Sequence, residues 1–288
     1  MCIRDSLHII IKIKNSNTRR KNFVFIFKTF AIIYIFFQLN WGLNYHNNNV
    51  INKLYGTEKY DFNQLVKVTK LFVNQTNIIH NKLSKSDTLA VNLDYDYELV
   101  FNESIKGINS LKFDDIITIP DHIKIKKSLF STPLSYMGFS GYINPFTLEA
   151  QINNNVPELF IPVTTSHEIS HLMGYAKENE ANFIGILSSV KSKNLFLSYS
   201  GNVQALRYLI NEINKADKKE SQKIIRKINK GVLKNISDAE KKINKYSNPF
   251  EPYIKQIYGF YLKANNQKDG IKSYNQVVGL LVGYYSNQ

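Results

Sequence analysis

The stretch Thr164 to Phe183, TTSHEISHLMGYAKENEANF, decides how the rest of the chain is read. His167 and His171 are four positions apart, so on a helix both imidazoles leave one face a turn apart and can grip a single ion. Glu168 follows the first of them, where its carboxylate can reach a metal-bound water without ligating the metal. This is the HExxH arrangement: two histidine ligands with an intervening glutamate as general base. Zinc explains the grouping, because it lowers the pKa of a bound water to roughly 7 and polarises a carbonyl. The same letters also admit a structural reading. Thr165 followed by Glu168 fits a capping box, in which the glutamate ties back to a helix N-terminus.

A hydrolytic zinc site needs a third protein ligand and one open position. Gly174, three residues past His171, can take the positive φ that ends a helix and reverses the chain. Glu178-Asn179-Glu180-Ala181-Asn182 then opens a second helix, with acids where the helix dipole favours them. Glu178 and Asn182 are four apart and share a face, so Glu178 is the expected third ligand and Asn182 a group that orients a histidine. Glu180 is the alternative ligand. Ala181 leaves room for the two helices to pack closely.

Working outward, Phe62, Leu65, Val66, Leu71 and Phe72 recur at helical spacing up to about Leu83, and a weaker helical pattern covers Tyr97 to Leu111. Ile123 to Phe130 and Gly141 to Ile152 read as extended, the latter through an Asn-Pro turn. Gly138 to Gln151 is either an edge strand along which a peptide aligns or an ordinary β-ribbon. Beyond Pro162 helical patterns dominate: Thr165 to Met173, Glu178 to Val190, Val203 to Ile213, a Lys-rich segment, Pro252 to Ala264, and Lys272 to Tyr284. The expected fold is mainly α with a small sheet.

Asn22 to Leu39 is an apolar run of 18 residues with one charge, Lys28, preceded by Arg19, Arg20 and Lys21. That is near the lower limit for a bilayer-spanning helix of roughly 20 residues, and Trp41 and Tyr45 suit an interfacial aromatic belt. A buried core helix and a signal peptide are the other readings of such a run. A signal peptide requires a small-residue cleavage site, and Asn40, Trp41, Gly42 and Leu43 supply none. The basic flank predicts a cytoplasmic N-terminus at a bacterial inner membrane, with the large domain in the periplasm. Met1 to Ser6 (MCIRDS) reads as a translated adapter fragment and is set apart. The expected organisation is a basic segment 1–21, a transmembrane helix 22–39 that contacts the bilayer, and one domain 40–288.

The 288 residues suffice to bury a core. The single cysteine, Cys2, excludes an intramolecular disulfide framework, a Cys-based zinc site and a CxxC redox pair. The formal charge of +14 would attract phosphates. Lys, Asn and Ile are enriched together along the whole chain, as in an AT-rich coding sequence, and no nucleic-acid-binding signature occurs; no nucleic-acid partner is expected. Lys215 to Lys245 reads as a solvated helical face. Tyr199, Tyr208 and Tyr274 are weaker candidates to donate a phenol to an oxyanion. His46, His80 and His122 read as surface or satisfied histidines.

The HExxH block with E-x-x-A-N after it resembles the glutamate-zincins, whose second helix carries a Glu ligand in an E-x-x-(A/S)-(D/N) pattern. On that likeness Glu178 is the ligand. It lies only seven residues beyond His171, closer than in most such proteins, so the Gly174 turn must do all the reversing. Metzincins place a ligand six residues on, but here that position is Lys177, which cannot serve while charged. WGLNY at 41–45, GFSGYINPFTLEA at 138–150, HEISHLMGYAKENEANFIGIL at 167–187, YSGNVQALRYL at 199–209 and YLKANNQKDGIKSYNQVVGLL at 261–281 resemble an uncharacterised bacterial envelope family, the domain-of-unknown-function family numbered thirty-eight ten. The resemblance implies a membrane-embedded N-terminus and a zincin-like α+β domain. The expected activity is zinc-dependent hydrolysis of peptides or envelope proteins by a membrane-anchored, metallopeptidase-like enzyme. The alternative is a zincin-like scaffold or metal-binding protein without turnover.

Overall fold

The computed structural model of the chain describes residues 16–46, 60–111, 123–265 and 274–286. Met1 to Ser6, His122 and the start of the helix expected at Lys272 lie outside the described residues. Contacts divide the chain into two compact units, Met1–Leu43 and Asn44–Gln288.

In the first unit, α1 spans Ser16–Asn40, longer at both ends than the apolar run. It is the one helix among the described residues that is long and apolar enough to cross a membrane, and none of its apolar window is buried. Phe23, Phe25, Phe27 and Phe30 are all largely exposed. A core helix would hide such side chains, which removes that reading and leaves a membrane anchor or a signal sequence.

The second unit is mainly helical with one small sheet. Its helices are α2 (Phe62–Ser84), α3 (Tyr97–Asn109), α4 (Ser131–Met137), α5 (Ile161–Leu172), α6 (Glu178–Lys191), α7 (Leu195–Ala216), α8 (Lys218–Ile225), α9 (Lys230–Asn244), α10 (Glu251–Ala264) and α11 (Tyr274–Ser286). Helix α2 starts at a reciprocal capping box between Asp61 and Gln64. Its buried stripe is Leu65, Val68, Thr69, Phe72, Val73, Thr76 and His80, while Phe62 and Leu71 face outward. The buried threonines are tolerated because each hydroxyl donates to the carbonyl four residues back, Leu65 and Phe72, at 2.7 Å. Helix α11 buries Val277, Val278, Leu280, Leu281 and Val282, as a helix surrounded on most sides must.

Two boundaries differ from the sequence reading. Helix α5 begins at Ile161 rather than Thr165, with Pro162 in its first turn, where a missing N–H costs nothing. Helix α7 begins at Leu195 rather than Val203, capped by the Asn194 side chain, which accepts from the amides of Phe196 and Leu197. Its first turns carry Ser198, Ser200, Gly201 and Asn202, small or polar residues that are nonetheless buried, so apolar periodicity could not detect them. The Lys-rich segment forms α8 and α9, whose outer faces carry pairs such as Lys223–Glu220 and Lys241–Asp238.

Strands β1 (Lys124–Lys127), β2 (Gly141–Asn144) and β3 (Glu149–Ile152) form a sheet in the order β1-β3-β2. β1 runs parallel to β3, and β2 runs antiparallel to it with Gly141 opposite Ile152. The β2–β3 turn is built on Asn144, whose side chain accepts from the Phe146 amide at 3.0 Å. The buried face of β3, Ala150 and Ile152, lies toward α5, and β2 is left as an edge beside that helix.

Candidate metal centre

Helix α5 carries His167, Glu168 and His171 on its last two turns. It stops because Gly174 adopts φ 88°. The Gly174 amide donates to His171 O at 2.8 Å and the Tyr175 amide to Ser170 O at 3.3 Å, the paired bonds of a Schellman ending. Thr165 lies inside this helix and donates its hydroxyl to Ile161 O, and the N-cap is Phe160. The capping-box reading of Thr165 and Glu168 is therefore excluded by the helix boundary. After the turn, Lys177 caps α6 and Glu178 is its first residue, so the reversal is complete within seven residues of His171.

Three side chains converge there. His167 Nε2 and His171 Nε2 are 3.1 Å apart, His167 Nε2 is 3.5 Å from Glu178 Oε2, and His171 Nε2 is 3.8 Å from Glu178 Oε1. A tetrahedral ion with ligand bonds of roughly 2.0–2.1 Å has ligand–ligand edges of ~3.3–3.4 Å. The observed separations bracket that value, and the N,N,O donor set suits zinc among other divalent ions. His171 Nδ1 lies 2.7 Å from Tyr175 O. Donation to that carbonyl fixes the proton on Nδ1 and leaves the Nε2 lone pair aimed into the cluster. Burial, then the neighbouring His171, push the His167 imidazole down to about 4, so that ring is free to present a lone pair near neutrality. His167 Nδ1 is buried with no hydrogen-bond partner among the described residues.

Glu168 is buried and stands outside the three-ligand cluster, its Oε1 packed against the backbone of Gly141 at the start of β2. Burial first, and then the Glu178 charge, hold its carboxyl well above the ordinary carboxylate range. Glu180 is also buried but lies outside the cluster; its charge acts on Tyr175 and Lys177 instead. Asn182 lines the cavity with His167, but its hydrogen bonds among the described residues go elsewhere. Its amide donates to Glu178 O at 2.7 Å, and its oxygen accepts from the Tyr208 hydroxyl at 3.4 Å, so it braces the Glu178 end of α6.

The tyrosine candidates separate. Tyr199 is fully buried and donates to Asn235 at 2.9 Å, a core role. Tyr208 lines the cavity beside His167. The Tyr274 side chain lies outside the described residues. Sequence reading missed Tyr258 on α10, whose hydroxyl donates to Glu178 Oε1 at 2.9 Å. Eighty residues separate the two, and no local pattern marks that contact. His80 is a satisfied core histidine, its nitrogens 2.9 Å from Leu89 O and 3.1 Å from the Asn229 amide.

These elements define a mainly helical protein with an N-terminal apolar helix and a His-His-Glu cluster at the junction of two helices. The family model described as "Protein of unknown function (DUF3810)" matches residues 2–282, and the chain belongs to that family. No curated protein and no solved structure matches the chain.

Proposed function

We propose that the protein is a membrane-anchored, zincin-like hydrolase that cleaves peptide bonds with zinc held by His167, His171 and Glu178. The convergence of these three donors, at separations of 3.1, 3.5 and 3.8 Å, carries the reading. Zinc in that position would supply Lewis acidity and lower the pKa of a bound water to roughly 7. Tyr258 holds one Glu178 oxygen and the Tyr175 carbonyl holds the His171 ring, so the donors are oriented before any ion arrives. The charge of a bound ion would favour the ionised form of Glu168, whose carboxyl is otherwise held up by burial and Glu178, and the carboxylate, next to His167 and outside the donor set, would then take the proton of the attacking water and pass it to the leaving amine. Strand β2 begins against Glu168 and is an edge of the sheet among the described residues, a place where an extended peptide can align by strand addition. The basic residues Arg19, Arg20 and Lys21 before the apolar run favour a cytoplasmic N-terminus and a periplasmic second unit, where peptides and envelope proteins are the substrates at hand.

The test separates binding from turnover. Full-length chain and its Glu168→Gln variant are purified, and zinc content and cleavage of a proteome-derived peptide pool are followed by mass spectrometry. The hydrolase reading expects about one zinc per chain in both and cleavage only by the unmodified protein. Zinc in both with cleavage by neither would favour the scaffold without turnover.

A further inference from the structure

A cavity of about 290 Å³ opens beside the cluster, with His167 in its wall. Its volume sits at the lower end of small-molecule sites, roughly 300–1,000 Å³, which suits one end of a substrate rather than a chain running through. The lining combines apolar side chains from Phe139, Phe160, Val163 and Ile243 with neutral polar ones, and it contains no aspartate or glutamate. Its one permanently charged member is Arg207 of α7.

Arg207 is held in place without being neutralised. One N–H donates to Gln204 Oε1 at 3.2 Å, and the guanidinium lies over the Phe160 ring, 4.6 Å from its centroid. It makes no ion pair among the described residues. Glu240, the acid whose charge it feels, is exposed and not paired with it. A guanidinium carries five N–H donors in a planar fork matched to a carboxylate, and the Arg207 nitrogens, none of them a buried atom without a partner, are accessible from the cavity for a ligand to take up. Stacking on Phe160 and the bond to Gln204 fix the plane of that fork in a cavity that His167 also lines.

We infer that this cavity is a carboxylate-recognition pocket in which Arg207 determines specificity, so that the substrate class is a peptide bearing a carboxylate next to the scissile bond. The inference rests on the hydrolase reading of the adjoining cluster. The small volume, of about 290 Å³, favours the C-terminal carboxylate, which makes the reaction removal of a C-terminal residue. The side chain of an acidic residue presents the same chemistry.

The test measures binding, so that it does not depend on turnover. Full-length Glu168→Gln protein with zinc added is titrated with three fluorescein-labelled probes: the peptide Ala-Ala-Ala-Ala-Phe as its free acid, the same peptide as its C-terminal amide, and Ala-Ala-Ala-Ala-Glu as its amide. The free acid is expected to bind about tenfold or more tightly than the first amide, by the strength of a charge-assisted fork. Arg207→Met, which keeps the stem packed on Phe160, should erase the difference, and Arg207→Lys should keep part of it. Tightest binding of the Glu-bearing amide would assign the carboxylate to a side chain and leave the role of Arg207 intact. Equal binding of all three, no measurable binding of any, or a preference that survives Arg207→Met in a folded variant would overturn the inference. Cleavage of the same probes by the unmodified chain is read separately. Arg207-dependent binding without cleavage removes the hydrolase reading alone, and cleavage of acid and amide at equal rates removes the pocket alone.

Discussion

Gly185 of α6 lies where that helix crosses α5, and a methyl group there tests the packing that sets the cluster. A Cβ at this position would stand 2.8 Å from His167 N and 2.9 Å from its Cα, both backbone atoms of α5. Ordinary contact begins at 3.4 Å, so the helices must part by at least 0.6 Å, the difference of 3.4 and 2.8. Overpacking of this kind costs about 1–3 kcal/mol, while replacing a mid-helix glycine by alanine returns up to about 1 kcal/mol of helix propensity. The steric cost outweighs the return, and Gly185→Ala should lose about 1 kcal/mol net, lowering Tm by roughly 2–4 °C in a unit of this size. The same displacement shifts His167 against Glu178, from which its Nε2 stands 3.5 Å, and against His171, 3.1 Å away, so zinc affinity should fall about tenfold. Thermal unfolding followed by circular dichroism and zinc competition against a chromophoric chelator report the two effects. A variant that melts above the unmodified protein, with unchanged zinc affinity, would show that the helices are not in close contact at His167 and would refute the packing argument.

Other perturbations have equally definite outcomes. Tyr258→Phe removes the hydroxyl that holds Glu178 Oε1, and should weaken zinc binding by about 10–100-fold in a competition titration while leaving thermal unfolding nearly unchanged. Asn235 accepts from the Val91 amide and the Tyr199 hydroxyl and donates to the Val91 carbonyl, all three bonds buried; Asn235→Leu strands these groups and should cost about 3 kcal/mol in urea unfolding. The full chain should stay in the membrane pellet on alkaline carbonate extraction, and placing Asp at both Phe27 and Ile32 should release it, because each charge at the centre of a span costs about 2.5–3.5 kcal/mol. An intact-mass measurement showing removal of the apolar segment would identify a signal sequence instead of an anchor.

Much of the cluster was legible because its chemistry is local. His167 and His171 are one turn apart, Gly174 is the residue that can reverse the chain, and Glu178 opens the next helix on the facing side. The histidine-orienting partner was not legible, because it is the backbone carbonyl of Tyr175, which no side-chain pattern encodes. Tyr258 arrives from a helix eighty residues away. Ala181, the small residue expected to let α5 and α6 approach, is fully buried, but Gly185, one turn on, makes the backbone contact with His167. The start of α7 was missed for a related reason. Ser198, Ser200 and Gly201 fit a tight helix crossing through their small size, and hydropathy registers apolarity rather than volume.

Hydrolysis at this centre requires that His167, His171 and Glu178 share one ion. X-ray absorption at the zinc edge, on full-length protein purified without added chelator, measures that directly and is repeated on Glu178→Ala and Glu180→Ala. The expected result is one zinc with two imidazole nitrogens at about 2.0–2.1 Å and oxygen ligands at about 2.0–2.2 Å, retained in Glu180→Ala and lost or altered in Glu178→Ala. Zinc absent from the unmodified protein, or a spectrum without histidine scattering, would contradict it.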